Sequence, residues 1–425
     1  MALQGKRFGR RRKRSKLRSV ESYALSRRFW SKFANQNWEK GPLLIQRPFS
    51  KPLISRAELF RALLASSEAY RADPGSVSLQ FFVGHSQTIA DITDFLPVAD
   101  DCSINGYAAR LSRALDGQDF ALSIQHVQQY APEIWLRLRG FLSSAVQFVP
   151  LPDDFTKATL FFGSYRKEPR GIHLGNSSNF KFVIHGKKRM RFWPSRFFRG
   201  REGVSHSTKY EQFLPAATTL EGRAGDIIYW PSDSWHVVEC VDGLAASISL
   251  ALFVHLRSLR IVDFWRHALD MIEERTPRAK TIPKLHRAVA NILNKRSART
   301  EIASKLTADS LNRATGFGFE RVPPPRSQKH LHDDIVVRAD PEYPILWSPS
   351  GGREIVCSVN GNAFVLTAHP QMLRVIRRLN SGGVCRVRDL IGEGNDDPAI
   401  GEGIRSLLEK LHALRGISEI SRSRR

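Results

Sequence analysis

The sequence GIHLGNSSNFKFVIHGKKRMRFWP, residues 171–194, decides the fold that we predict for this chain. Hydrophobic and polar residues alternate from Phe180 onward, which is typical of a β-strand. Gly186 interrupts the alternation and predicts a turn, after which a second strand is expected to begin at Lys188. The stretch therefore predicts a β-hairpin, and His173 stands just before its first strand.

A second histidine lies downstream in the sequence GDIIYWPSDSWH, residues 225–236. Its apolar run, turn and following strand could bring His236 to the same place as His173. Non-haem iron(II) enzymes hold their metal by two histidines and one carboxylate on one face. A His-x-Asp pair on a strand supplies two of these ligands, because residues i and i+2 point the same way. Here the residue two places after His173 is Gly175, which cannot bind a metal.

Short strand-like segments separated by turn residues continue from Thr156 to Phe253. Regular short strands of this kind are typical of an antiparallel barrel or jelly roll. The predicted fold class is therefore mainly β with helices, built on a double-stranded β-helix of residues 121–256. Residues 29–120 are expected to cover this barrel with helices and short strands.

The two ends of the chain predict further units. Residues 1–28 are expected to form a basic arm, and residues 257–322 have helical periodicity typical of a linker. A run of prolines then opens a C-terminal unit of residues 323–425. In that unit, Asn360-Gly361 between two strand-like segments predicts a type I′ hairpin. Two helical stripes with small strands resemble a winged helix.

The composition indicates which binding partners and which cellular compartment to expect. The 425 residues carry a net charge of +24, which favours an acidic partner such as nucleic acid or an acidic peptide. Nucleic-acid binding stays open but is not specific, because no recognition helix or base-stacking motif accompanies the charge. The 4 cysteines have no Cys-x-x-Cys spacing, so a reducing compartment is indicated and a cytoplasmic protein is expected. No stretch approaches the length of a membrane span, and no membrane partner is expected.

Taken together, the motifs resemble those of the JmjC-type, cupin-fold oxygenases that depend on Fe(II) and 2-oxoglutarate, and especially of the ribosomal oxygenases. The similarity covers most of residues 29–425, and its motifs are residues 38–45, His173, Asn179, residues 186–189, residues 225–231 and His236. The resemblance implies that His173 and His236 are the metal ligands.

The same resemblance implies which residues bind the co-substrate. In the family, a basic residue fifteen positions after the first histidine pairs with the distal carboxylate of 2-oxoglutarate, and here that residue is Lys188 (188 − 173 = 15). An ammonium group suits this task because a buried carboxylate needs a charged donor. Asn179 corresponds to a position that donates to the metal-bound end of 2-oxoglutarate. Ser247 or Ser249 is expected to line the same pocket.

Gly175 is the departure from the family pattern, and it leaves three alternatives. Chloride could occupy the vacated carboxylate position and restore its negative charge, which predicts a halogenase that chlorinates an unactivated C–H bond. Halogenases of other 2-oxoglutarate-dependent subfamilies resemble this chain in having Gly or Ala there. Water could occupy the position in a peptide or protein hydroxylase of the ribosomal-oxygenase type. A decayed site would leave a non-catalytic cupin-fold binding protein.

We favour the halogenase over the hydroxylase because of Gly175, and the joint presence of His173, His236 and Lys188 argues against a decayed site. The expected substrate is an amino-acid side chain of a peptide or protein. The net charge of this chain favours an acidic peptide or protein, and the resemblance suggests one that is associated with the ribosome. Helices that follow the barrel mediate dimerisation in the ribosomal oxygenases, so the resemblance also implies a homodimer. The cofactors expected are Fe(II), 2-oxoglutarate and chloride.

Overall fold

The computed structural model describes residues 23–84, 86–87, 92–150, 152, 155–201, 203–254, 266–267, 270, 296–392 and 397–420. Residues 1–22 of the predicted basic arm lie outside the described residues. Most residues of the predicted helical linker before residue 296 also lie outside them. Within the described part of the chain, no helix is long and apolar enough to cross a membrane.

The N-terminal part contains helices that cover one face of the main sheet. Their bounds are α1 Arg27–Gln36, α2 Arg56–Ala72, α3 Ile104–Ala114 and α4 Pro132–Ala145. Ser55 and Glu58 form a reciprocal capping box at the start of α2, which the sequence pattern predicts. Trp30 of α1 and Phe141 of α4 pack against Phe180 in the sheet, so these helices bury the apolar face of the strand that carries Phe180.

Ten strands of the described residues form one antiparallel sheet that curves into a jelly roll. They are β1 Leu43–Ile45, β2 Leu79–Val83, β3 Ser86–Gln87, β4 Phe120–Gln125, β5 Thr156–Gly163, β6 His173–Leu174, β7 Ser178–Pro194, β8 Thr218–Arg223, β9 Ile227–Trp230 and β10 Ser234–Leu252. Their order is β1-β9-β7-β10-β5-β4-β2-β3, with β6 paired to β10 and β8 paired to β7. The fold is mainly β with helices, as predicted, and β1, β2 and β3 of the N-terminal cover belong to the same sheet.

The predicted hairpin at residues 171–194 is wrong, because β7 is one continuous strand. It pairs with β10 from Ser178 opposite Leu252 to Pro194 opposite Ser234, with register shifts close to Gly186. Gly186 has a φ of 63°, and a Cβ there would collide with the Leu244 carbonyl oxygen. Glycine therefore bends the strand against its partner instead of reversing it.

The C-terminal part forms two small three-stranded sheets packed with helices. The elements are α5 Arg296–Gly316, β11 Val336–Ala339, β12 Leu346–Gly351, β13 Glu354–Val359, β14 Asn362–Thr367, α6 Pro370–Asn380, β15 Cys385–Arg386, α7 Val387–Ile391, α8 Pro398–Ala413 and β16 Ile417–Glu419. Asn360 and Gly361 join β13 to β14 with φ values of 55° and 77°, so the predicted tight hairpin is confirmed. The winged-helix assignment stays a prediction.

Arg139 of α4 connects the jelly roll to the C-terminal part. Its guanidinium donates to the Asn360 side-chain oxygen and stacks over the Tyr343 ring, with its central carbon 3.5 Å from the ring centroid. Burial lowers the pKa of Arg139 to about 10. Because Arg139 belongs to α4 and both of these partners belong to the C-terminal part, this buried cation ties the C-terminal part to α4.

Candidate metal centre

Strands β6 and β10 bring the two predicted ligands together. His173 and His236 are direct partners across the strand pair, and their ring centroids lie 4.2 Å apart. The Nδ1 atom of His173 lies 3.0 Å from the Gly171 carbonyl oxygen, and that of His236 lies 3.1 Å from the Ser234 carbonyl oxygen. When each Nδ1–H donates to its carbonyl, each Nε2 keeps a lone pair for a metal ion.

Burial favours the neutral form of both imidazoles. It lowers the pKa of His173, and it lowers the pKa of His236 well below the usual value, with a further contribution from the neighbouring His173. Neutral imidazole is the form that binds transition metals. The geometry and the electrostatics of the pair therefore both suit a metal centre.

Gly175 lies beside this pair in a fixed backbone position. Its amide donates to the Ser234 carbonyl oxygen at 3.1 Å, and its own carbonyl accepts from the Asp233 amide at 2.9 Å. A Cβ on Gly175 would lie 3.4 Å from Cε1 of His236, which is ordinary van der Waals contact, and Gly175 does not have a positive φ. Neither the space for a Cβ nor the backbone conformation requires glycine here, so the absence of a side chain at this position is not imposed by the fold.

No nearby carboxylate replaces the missing ligand in the described residues. Asp233 is exposed in its turn, and Glu239 lies on the outer face of β10, where Arg191 and Tyr210 donate to it. No group of three or more His, Cys, Asp or Glu side chains within the described ranges could hold a metal ion. The two imidazoles therefore fit two ligands of Fe(II), and the other ligands must come from co-substrate, water or a halide.

A cavity of about 180 Å³ opens from the histidine pair into the jelly roll. Three buried atoms of its lining residues have no hydrogen-bond partner among the described residues: Glu168 Oε2, Trp230 Nε1 and Ser249 Oγ. Buried polar atoms are nearly always hydrogen-bonded in folded proteins. Such a cluster of unpaired atoms indicates that the cavity is shaped for a polar ligand.

The charges that line the cavity favour an anion. Lys157, Arg170 and Lys181 contribute positive charge, and Glu168 is the one carboxylate among the described lining residues. Glu168 forms an ion pair with Arg170. Burial alone would raise the pKa of Glu168, but Arg170 and the two histidines lower it to about 2, so Glu168 is ionised. The excess of positive charge attracts an acidic ligand.

The residues that the resemblance implies for co-substrate binding lie at different depths. Asn179 and Ser249 line the cavity, and the Asn179 amide nitrogen donates to the Ser177 carbonyl oxygen at 2.8 Å. Ser247 is fully buried, but it is not among the lining residues. Lys188 is fully buried and is not among the lining residues, and its Nζ donates to the Tyr165 hydroxyl at 2.9 Å. Their proposed roles stay predictions.

Sequence reasoning missed Lys181, Glu168 and Arg170 as residues of the cavity. The signal for Lys181 was present, because Lys181 follows Asn179 by two residues on the same strand and therefore faces the same way. Glu168 and Arg170 lie in the loop before β6, where no periodicity indicates the direction of a side chain.

The jelly roll with its helical cover belongs to the cupin and JmjC class of folds, as predicted. An X-ray structure of YcfD from Escherichia coli matches 92% of this chain and 98% of its own, at 15% identity and a TM-score of 0.50. Another YcfD structure, described as a ribosomal oxygenase in complex with cobalt and 2-oxoglutarate, matches with the same coverage and identity at a TM-score of 0.49. At this identity the likeness shows the fold alone. No protein-family model and no curated protein matches the sequence.

Proposed function

We propose that the protein is an oxygenase that depends on Fe(II) and 2-oxoglutarate and hydroxylates a peptide or protein. One observation carries the proposal: His173 and His236 present two free Nε2 atoms to a cavity whose lining is positively charged. When bound, iron and 2-oxoglutarate would activate dioxygen, one oxygen atom of which would go to succinate and the other to an aliphatic C–H bond. A site with two metal ligands and an anion-binding cavity suits both.

The residues of the chain have separable tasks in this proposal. The carbonyl groups of Gly171 and Ser234 orient the two imidazoles, which limits their motion when a metal binds. Trp230 packs with its ring centroid 5.1 Å from that of His236 and shields the centre from water. Leu174 lines the cavity and is 45% exposed, so it offers an apolar contact for a substrate side chain at the rim.

A macromolecular substrate is supported by two features of the chain. The net charge of +24 favours an acidic or ribosome-associated polypeptide, although nucleic acid can satisfy the same charge. The structural likeness to YcfD extends over 92% of the chain, so it includes the C-terminal part as well as the jelly roll. We propose a peptide or protein substrate in the cytoplasm, with a homodimer as the working form.

The test has a binding arm and a turnover arm. Cobalt(II) replaces iron(II) without reacting with oxygen, so its visible absorption reports metal binding directly. We expect cobalt binding and tighter 2-oxoglutarate binding in its presence, and with Fe(II) and oxygen we expect succinate. If the protein bound neither cobalt nor 2-oxoglutarate, it would be a non-catalytic binding protein on a cupin scaffold.

Halogenation is a second candidate, and Gly175 is the observation that favours it. The position accepts a Cβ without strain, yet the chain leaves it open beside both metal ligands. A chloride ion there would supply the negative charge that a carboxylate ligand would otherwise give.

The two reactions differ in the mass of the product. A substrate peptide incubated with Fe(II), 2-oxoglutarate, oxygen and chloride should gain one oxygen atom if the protein is a hydroxylase. A chlorine isotope pattern that disappears when chloride is omitted would instead identify a halogenase. Succinate formation alone does not distinguish the two reactions.

A further inference from the structure

Residues 195–217 connect β7 to β8 and form a basic segment beside the metal centre. The sequence of this segment has two acidic and four basic residues, and the basic ones are Arg196, Arg199, Arg201 and Lys209. One of the acids, Glu211, forms an ion pair with Lys167, which lies outside the segment. The segment therefore has an excess of positive charge that its own residues do not neutralise.

The segment contacts the chain directly before His173. The Ile172 amide donates to the Ser207 carbonyl oxygen at 2.9 Å, and the His206 amide donates back to the Ile172 carbonyl oxygen at 2.6 Å. Gly171 has a φ of 65°, and a Cβ there would lie 2.5 Å from the Ser207 carbonyl oxygen. Glycine allows this close approach, which fixes the segment against the strand that carries the first proposed metal ligand.

Trp235 relates the segment to the rim of the cavity. It precedes His236 and is the strand partner of Leu174, the exposed residue that lines the rim. Its Nε1 donates to the Ser195 carbonyl oxygen at 3.1 Å. One strand spacing and one tryptophan side chain thus separate Leu174 from the backbone of Arg196, which amounts to roughly 10–15 Å. An extended peptide covers this distance in about three to five residues.

The arginines of the segment are exposed at Arg196, Arg199 and Arg201. Among the described residues, the side chains of Arg196 and Arg199 have no hydrogen bond or ion pair. The Arg201 guanidinium lies over the Phe197 ring at 5.0 Å from its centroid and over the Phe213 ring at 5.5 Å. Stacking on the rings orients the guanidinium plane, and its N–H groups can still donate to a partner.

An acidic polypeptide fits this surface better than a nucleic acid does. Single-stranded nucleic acids bind where aromatic rings are open for stacking on bases. Phe197 and Phe213 are only half-exposed, and Arg201 lies over both rings. A polypeptide whose side chain enters the cavity must cross one side of the cavity mouth, so one molecule can fill the cavity and reach the arginines. Guanidinium groups bind carboxylates through paired N–H donors.

We propose that Arg196, Arg199 and Arg201 bind acidic residues of the substrate polypeptide that lie about three to five residues from the modified residue. This proposal rests on the proposed function, which supplies a polypeptide whose side chain enters the cavity. Binding at this surface selects the substrate by its sequence, whereas metal and 2-oxoglutarate bind without it.

A selection experiment uses a synthetic library of peptides with random sequence. The full chain is incubated with the library, Fe(II), 2-oxoglutarate, oxygen and chloride, and mass spectrometry sequences the peptides that gain oxygen or chlorine. We expect Asp and Glu to be enriched at about three to five residues from the modified residue. The enrichment should disappear in the triple variant Arg196→Gln, Arg199→Gln, Arg201→Gln.

A binding measurement tests the surface without turnover. The fluorescence anisotropy of a labelled peptide of alternating glutamate and serine reports its binding to the cobalt-loaded protein at low salt. The triple glutamine variant should bind this peptide at least about tenfold more weakly, because its three charge-assisted contacts are lost. Lysine at the same three positions keeps the charge and should bind the peptide more tightly than glutamine does, which separates charge from misfolding.

The matched control uses three exposed arginines of the C-terminal part. Arg353, Arg374 and Arg377 are exposed, and Arg377 lies over the Trp347 ring at 5.9 Å from its centroid, much as Arg201 lies over its two rings. Replacing these three by glutamine changes the net charge of the protein by the same amount. Peptide affinity and the enrichment of acidic residues should both stay as in the wild type.

The outcomes separate failure of this proposal from failure of the proposed function. The proposal is overturned if modified peptides show no acidic enrichment, or if the enrichment persists in the triple glutamine variant. It is overturned as well if the control variant loses as much peptide affinity, or if binding of a short oligouridine RNA depends on the three arginines while binding of the acidic peptide does not. If cobalt and 2-oxoglutarate bind but no peptide is modified, the anisotropy result decides. If the wild type binds neither cobalt nor 2-oxoglutarate, the proposed function fails and this proposal falls with it.

Discussion

The two faces of the strand pair β7–β10 differ in whether their charged side chains have partners within the protein. On the outer face, Arg189 and Arg191 both reach Glu239, and Tyr210 donates to the same carboxylate at 3.1 Å. On the inner face, the Lys181 ammonium lies over the Phe161 ring without a hydrogen bond or ion pair among the described residues, and the Ser249 hydroxyl has no hydrogen-bond partner there. The outer face therefore presents polar groups with partners, whereas the inner face presents both kinds: Lys188 is hydrogen-bonded to Tyr165, but Lys181 and Ser249 have no hydrogen-bond partner among the described residues.

This difference separates groups that stabilise the fold from groups that await a ligand. A polar group whose partners lie within the protein contributes to the free energy of unfolding. A buried polar group without such a partner reduces stability until a ligand binds. Substitutions on the outer face should therefore change stability, and those on the inner face should change binding.

The largest effect is expected on the inner face, for His236→Ala, which removes one of the two proposed metal ligands. Removing a group that only hydrogen-bonds to a metal ligand typically lowers metal affinity about 10- to 100-fold. Removing the ligand itself should therefore lower the cobalt affinity by more than about 100-fold. Visible absorption of the cobalt complex measures this change. His185→Ala is the control, because His185 is on β7 but does not line the cavity, and its cobalt affinity should equal that of the wild type. Equal losses in both variants would contradict the assignment of the metal centre.

On the outer face, Glu239→Ala should lower the free energy of unfolding by about 1–3 kcal/mol, because it leaves the Tyr210 hydroxyl and the Arg191 guanidinium without their acceptor. Urea denaturation measures the change. Glu221→Ala is the matched control, since Glu221 is the exposed partner of Arg189, and it should cost less than about 1 kcal/mol. Cobalt affinity should stay the same in both variants, and a large loss would show that the two faces are not independent.

Gly175→Asp should strengthen cobalt binding by roughly tenfold, which is about 1.4 kcal/mol, because a Cβ fits at this position beside His236 and the new carboxylate adds a negatively charged ligand. Gly175→Ala adds the same Cβ without a charge, and its cobalt affinity should stay within about twofold of the wild type. In turnover with chloride, any chlorinated product should disappear in Gly175→Asp. Chlorination that persists in this variant would rule out a halide at the vacated position.

The smallest effect is expected for Ser249→Ala, whose free energy of unfolding should stay within about 0.5 kcal/mol of the wild type, because the hydroxyl has no protein partner to lose. Ser358→Ala is the matched control. Ser358 is fully buried in β13 and donates to Asn312 Oδ1 at 2.8 Å, so its loss should cost about 1 kcal/mol. A larger cost at Ser249 than at Ser358 would break the contrast between unpaired and paired groups.

Features set by local chemistry could be predicted from the sequence. The capping box of Ser55 and Glu58 and the tight turn at Asn360-Gly361 each depend on only a few neighbouring residues. The meeting of His173 and His236 could also be predicted, because each is marked by its own motif and the resemblance relates the two motifs.

Other features depend on partners far away in the chain. Gly186 has the sequence signature of a turn, but its partner strand is β10, and pairing with β10 keeps β7 continuous. The alternation in β7 predicts one buried face, whereas both faces are buried, one by helices and one by the cavity. Alternation alone therefore does not assign Lys181 to the cavity, and only its spacing of two residues from Asn179 indicates that it faces the same way.

The backbone around Gly175 has a consequence for the genetic history of the site. A Cβ is accommodated there without movement of His236, and no unusual φ must be preserved. Where the glycine codon is GGT or GGC, one G-to-A change encodes aspartate. The site with glycine and the site with aspartate are then one base change apart, and the backbone at residue 175 suits both.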